Sequence, residues 1–167
     1  MGMFSPAYEG VIELGAVPDD FTERVARRVE NGLFFPGSRR RADYVVRSRS
    51  QDAISFAARG FWTAYNVGLN EVELRRNGLH RIAYHGSFRR WAAYAAIHGL
   101  ALTGAILAVV LAWPGARDQV SQTPYGWPVL LGLLVFFGLL WPWVLVAIHR
   151  RMVPSSLVRI VQEVAAG

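Results

Sequence analysis

The chain has no cysteine and no lysine; all 18 basic side chains are arginine. Without cysteine there is no disulfide, no zinc-thiolate site and no thiol nucleophile. Without lysine there is no Schiff-base chemistry and no standard phosphate-binding loop, which needs its lysine. All-arginine usage beside abundant Ala, Gly and Val points to a GC-rich bacterial genome. Internal repeats and low-complexity segments are missing too. Charge is missing from two long stretches: Trp91 to Trp113 carries no charged residue over 23 positions, and Trp127 to Ile148 none over 22.

A helix needs roughly 20 apolar residues to cross a bilayer core about 30 Å thick. Both stretches meet that length, and the polar loop Pro114 to Gly126 joins them. The reading is a transmembrane helical hairpin. Arg89 and Arg90 precede it and His149, Arg150 and Arg151 follow it, whereas the loop has Arg117 beside Asp118. Positive flanks stay cytoplasmic, so both termini are expected there, in a multi-pass protein of the bacterial inner membrane. Arg89, Arg90, Arg150 and Arg151 are expected to meet lipid headgroups. Trp91, Tyr94, Trp113, Tyr125, Trp127, Trp141 and Trp143 sit near the ends of the stretches, where amphipathic rings prefer to lie. Met1 to Gly10 has no basic start and no apolar centre, so a signal peptide is not expected.

The net charge of +6 is modest. With no basic recognition helix and no RNA-binding signature, membrane lipids rather than nucleic acid are the expected partner.

The expected architecture is α+β. Residues 1–90 form a small cytoplasmic β-α-β-meander domain, 91–149 the hairpin (91–113 and 127–148), and 150–167 a tail with a short amphipathic helix. Tyr8 to Leu14 reads as a strand. Asp20 and Glu23 are spaced as a capping box for a helix over Asp20 to Asn31, and Glu23 and Arg27 as an i, i+4 pair. Phe21, Val25 and Val29 give that helix its apolar stripe, and Asn31-Gly32 its stop. Strands follow at Asp43 to Arg49, Ala53 to Ala58, Glu71 to Arg75 and Leu79 to His85. A three-residue loop, Arg76-Asn77-Gly78, sets Val72 opposite Ile82 and Glu73 opposite Arg81. In the tail, a helix starting at Pro154-Ser155 shares Leu157, Ile160, Val161 and Val164 on one face. It lies on the bilayer or packs on the domain. The strand that runs from Val11 through Pro18 into a capped helix at Phe21 resembles the opening of START-like lipid-binding domains. That resemblance implies a cavity between helix and sheet.

Candidate sites are few. His98 is the one ionisable group inside the apolar stretches. Antiparallel helices bring position 98 near 141, and Pro142 cannot donate to the Gly138 carbonyl. A neutral His98 donating to that carbonyl would staple the helices; a proton or ligand role is the alternative. Haem ligation by His98 and His149 fails on depth, since they lie roughly 10 Å apart at 1.5 Å per residue. The first stretch carries two small-residue faces, Ala95-x3-Gly99-x3-Thr103 and Gly104-x3-Ala108-x3-Ala112. The second has 14 Val, Ile, Leu and Phe residues against eight in the first. The first helix is therefore expected to face protein, through His98, Gly99, Thr103, Gly104 and Ala108 with Pro142 across from them, and the second to face lipid. Two packing faces exceed the needs of one hairpin partner.

His80, His85, Glu71 and Glu73 do not converge in the expected register, so no metal site is expected. Ser87 near His85 lacks an orienting acid for a triad. No catalytic, cofactor-binding or metal-binding residue is assigned. Phe61, Trp62 and Tyr65 are read as core or interfacial aromatics. Arg39 to Arg41 are read as a solvated turn, with headgroups as the alternative contact.

These observations favour a non-enzymatic membrane protein: a structural or interaction subunit of a homo-oligomer or a larger membrane complex. The alternative is a membrane-anchored binding module for a lipid or other apolar ligand, with a cavity lined by Val25, Val29, Ile54, Phe56 and Trp62. The third reading is a small homo-oligomeric channel or transporter.

Overall fold

The computed structural model describes residues 5–34, 43–60, 62–63 and 69–167. The order is β1 (Ala7–Glu13), α1 (Phe21–Glu30), β2 (Tyr44–Arg49), β3 (Ala53–Ala58), β4 (Glu71–Arg76), β5 (Arg81–Ser87), α2 (Arg89–Ala112), α3 (Pro114–Gln122) and α4 (Gly126–Ala166). The chain is α+β, with one five-stranded antiparallel sheet in the order β1-β5-β4-β3-β2. Two compact units result: residues 1–91 with 149–167, and residues 92–148.

In the first unit, strand alternation decides the layers. Tyr8, Ile12, Ile54, Phe56, Val72, Leu74 and Ile82 are buried, as are Phe21, Val25, Ala26 and Val29 of α1. Their alternate neighbours, such as Glu9, Glu71, Glu73 and Arg81, are exposed. The C-terminal end of α4 belongs to the same unit. It buries Val153, Leu157, Ile160, Val161 and Val164, and Arg28 of α1 donates to Glu163 at 2.9 Å. Of the two placements expected for the tail, packing on the domain is the one observed.

Two glycines explain how β1 joins the sheet. Tyr8 pairs with Gly86 and Gly10 with Tyr84 across β1 and β5. Each tyrosine ring lies over the glycine opposite it, in space that a Cβ would occupy. The rings of Tyr8 and Tyr84 are 6.2 Å apart.

Several local expectations are corrected. The β4–β5 register is shifted: Val72 faces Gly86, Glu73 faces His85 and Arg76 faces Ile82. Face parity is preserved, so apolar residues still share a side. The turn, however, moves beyond Asn77, whose N–H donates to the Arg81 carbonyl at 2.8 Å, while Gly78 takes φ +86°. The cause lies outside the hairpin. Leu14 and Val17 N–H groups donate to the His80 and Leu79 carbonyls, and Arg76 N–H donates to the Asp52 carbonyl.

The capping box does not form. Asp20 has φ −90° and ψ 17°, outside the extended conformation that aims the side chain at the helix start. Its carboxylate instead accepts from Arg24 at 2.8 Å, and the Pro18 carbonyl takes the Phe21 N–H. Glu23 lies 3.8 Å from Arg49 rather than pairing with Arg27, because β2 brings a second guanidinium across the helix.

The segment after Trp113 is not a loop: Pro114 starts α3, where its missing N–H costs nothing. Nor does a separate helix start at Pro154. It lies inside α4, which runs 41 residues without a break. An interior proline costs about 3 kcal/mol, which the burial of Val153 and Leu157 on either side offsets.

Two buried phenols make this unit sensitive to alkali. The Tyr8 and Tyr44 hydroxyls are buried without a hydrogen-bond partner among the described residues. Burial raises the Tyr8 phenol far above its ordinary value of 10.0, helped by the Tyr44 and Tyr84 hydroxyls; burial and Asp43 raise Tyr44. Above pH 10 the unfolded chain loses these protons while the folded one keeps them. Stability is therefore full below that pH and falls as pH rises past it, by about 1.4 kcal/mol per pH unit per group. Thermal unfolding followed from pH 8 to 12 should show the decline, and Tyr8→Phe should make it shallower. A flat profile would contradict the burial.

Candidate functional site

The second unit holds the apolar parts of α2 and α4. Both helices are long and apolar enough to cross a membrane, and only 17% of the most apolar window of each is buried. A core helix of a water-soluble domain would be mostly covered. At 1.5 Å per residue, the 24 residues of α2 extend about 36 Å.

The crossing within this unit is built on glycine. A Cβ on Gly99 would lie 2.7 Å from the Phe137 carbonyl oxygen and 3.1 Å from Cγ of Pro142. A Cβ on Gly138 would lie 2.9 Å from Oγ1 of Thr103, and that hydroxyl donates to the Leu134 carbonyl at 3.5 Å. Gly99 thus lies against Phe137 and Pro142, and Thr103 against Gly138 and Leu134.

His98 is exposed, and its Nδ1 lies 2.8 Å from the Tyr94 carbonyl one turn back in α2. The backbone itself absorbs Pro142. Phe136–Leu140 forms a π-turn in which the Trp141 N–H donates to the Phe136 carbonyl. Such local rearrangement is how apolar helices accommodate proline. A proline one turn after Phe137-Gly138 was the signal for it.

Gly104 and Ala108 take no part in this crossing. A Cβ on Gly104 meets nothing within 4 Å among the described residues, and Ala108 and Ala112 are exposed. One small-residue face is used inside the unit, and the other is open.

In the first unit, the start of α2 is fixed by a residue that sequence reasoning missed. Asn70 is 1% exposed, and its Oδ1 accepts from the Trp91 N–H at 2.9 Å. Its own backbone bonds to Ala58 and Ser87. A helix-start donor is thus capped from 21 residues away, which no local capping pattern reveals. The His149 ring stacks on Trp91 at 4.0 Å and 9°, with Phe88 edge-on at 5.7 Å. Arg89, Arg90 and Arg151 are exposed and Arg150 is half-buried; Arg90 donates to the Ala58 carbonyl at 3.3 Å.

The polar face of the sheet sets His85 beside glutamates of both neighbouring strands. His85 lies between Glu9 and Glu73 on neighbouring strands, with Glu9 at 3.9 Å. Open grooves of about 370 and 380 Å³ flank this row and share Glu73 and His85. Among the described residues no group of three or more His, Asp or Glu is arranged to hold a metal ion. Of the residues expected to line a ligand cavity, Val25, Val29, Ile54 and Phe56 are buried, whereas Trp62 is 70% exposed. Arg39 to Arg41, Phe61 and Tyr65 lie outside the described residues.

No family model matches this chain, and no curated protein or solved structure matches it. The resemblance to START-like domains therefore rests on element order alone.

Proposed function

We propose that this chain is a non-enzymatic integral membrane protein, a small sheet domain anchored by a two-helix hairpin that serves as a structural or interaction subunit of a homo-oligomer or larger membrane complex. The domain and both termini would be cytoplasmic and the membrane the bacterial inner membrane. The arginine distribution around the apolar stretches supports that orientation. The observation that carries the assembly reading is the division of labour on α2. Its Ala95-Gly99-Thr103 face is consumed by α4, while Gly104, Ala108 and Ala112 stay open. In lipid, close backbone approach at small residues drives helix association, because hydrophobicity no longer separates helix from solvent.

Native mass spectrometry of the protein released gently from its own membranes tests this. Discrete oligomers, or a reproducible second protein, are expected, and Gly104→Leu should dissociate them. A monomer carrying one stoichiometric lipid would overturn the proposal. It would move the alternative, a binding module for a lipid or apolar ligand, to first place. That alternative draws support from the buried hydroxyls of Tyr8 and Tyr44, which have no hydrogen-bond partner among the described residues.

A further inference from the structure

One end of the sheet gathers the features of a membrane-contacting surface. Register places the start of β1, the end of β5, the start of β4, the end of β3 and the start of β2 side by side, through the pairs Ala7–Ser87, Glu71–Ser87, Ala57–Glu71 and Tyr44–Ala58. The first residue of α2 follows Ser87 by two positions. The Arg90–Ala58 and Trp91–Asn70 hydrogen bonds tie the helix start to this end. The Trp91–His149 stack brings the Arg150-Arg151 pair there too.

The segment between β3 and β4 leaves from the same end. Arg59 is exposed, and its N–H donates to the Asp43 carbonyl at 2.8 Å. Trp62 follows Ala58 by four residues, so the chain can carry it only about 14 Å from that corner. Its side chain is 70% exposed, while Trp91 beside the same corner is 9% exposed. Among the described residues, Arg59, Arg89, Arg90, Arg150 and Arg151 lie near this end in sequence, against the acidic residues Glu9, Asp43, Glu71 and Glu73. An exposed indole on the same end of the sheet as several arginines suits a bilayer interface: the indole enters the headgroup layer and the guanidiniums meet phosphate.

We infer that Trp62 and Arg59, with the arginines flanking α2 and α4, form a second membrane contact, in which the Trp62 indole enters an anionic headgroup layer and holds this end of the sheet to the bilayer. The inference rests on the membrane reading proposed above. The occupant is a phospholipid surface, argued from the charge excess and from the continuity of this corner with the first residues of α2.

Because the chain has no cysteine, single thiols can be placed at will. The full chain, reconstituted in vesicles of phosphatidylcholine with a minor share of phosphatidylglycerol, would carry a nitrobenzoxadiazole label at Trp62→Cys, Leu79→Cys or Leu100→Cys. Leu79 is 69% exposed but lies at the opposite end of the sheet, about 24 Å away along the seven residues of β5. Leu100 lies in the apolar part of α2. Lipids bearing a shallow nitroxide should quench the label at position 62 and leave that at 79 unchanged. Replacing phosphatidylglycerol with phosphatidylcholine should lower the quenching at 62 by about twofold. Equal accessibility at 62 and 79, with quenching at 100, would overturn the inference and leave the membrane reading standing. No quenching at 100 would overturn both. Quenching at 62 that ignores lipid charge would overturn the role of the arginines.

Discussion

Gly99→Leu should pull the two apolar helices apart. The new side chain would begin 2.7 Å from the Phe137 carbonyl oxygen and 3.1 Å from the Pro142 ring. Neither neighbour can swing aside: one is backbone in the π-turn, the other a proline ring beside it. Overpacking of this kind costs about 1–3 kcal/mol when side chains can adjust, and the rigid neighbours place Gly99→Leu at the upper end. The control is Gly104→Leu, which meets open space and gains about 1 kcal/mol of helix propensity. Denaturation in mixed micelles should therefore show Gly99→Leu destabilised by about 3 kcal/mol and Gly104→Leu unchanged or slightly stabilised. Oligomer state should respond in the opposite order. If the two variants behave alike, the assignment of one face to the hairpin and the other to assembly is wrong.

The second large effect is expected in the sheet. Gly86→Ala would set a methyl group where the Tyr8 ring now lies. Tyr8 is 3% exposed and is enclosed by Tyr84 and Phe88, each 6.2 Å away between ring centroids. Expelling the ring forfeits most of its burial and opens the β1–β5 seam, at a cost of about 3–5 kcal/mol by comparison with losing a core aromatic. Thermal unfolding of the full chain, followed by near-ultraviolet circular dichroism, should show a large drop in midpoint. Tyr8→Ala is expected to cost a similar amount alone. Combined with Gly86→Ala, it should add much less than the sum, because the clash is already gone. Full additivity would show that ring and glycine do not share the space.

The two interpretations of the polar sheet face and of the helix pair also differ in what a sequence can convey. Hydropathy marked both apolar helices, and apolar spacing marked α1, whose observed range Phe21–Glu30 falls one residue inside each end of the expected one. The strand Ala53–Ala58 appears with the boundaries read from its alternation. Antiparallel helices of similar length impose a pairing by simple counting, and in the structure Gly99 lies against Phe137 and Pro142 while Thr103 lies against Gly138.

What the sequence determined by itself was the set of properties held within ten to twenty consecutive residues: period, hydropathy, charge flanks and small-residue spacing. These act through nearest neighbours along the chain, so a window suffices to read them. Tertiary structure decided the rest. The β4–β5 register followed hydrogen bonds from Leu14, Val17 and Asp52, which lie far from the hairpin in sequence. Asp20 and Glu23 left their capping roles because Arg24 and a distant Arg49 offered charged donors. Asn70 became the cap of α2 only when two strand ends met. The tail helix fused with α4 across Pro154 because burial of its apolar face outweighed a local penalty. In the register, the Asn70 cap and the fused tail, a contact from far along the chain overruled a local preference worth about 1 kcal/mol.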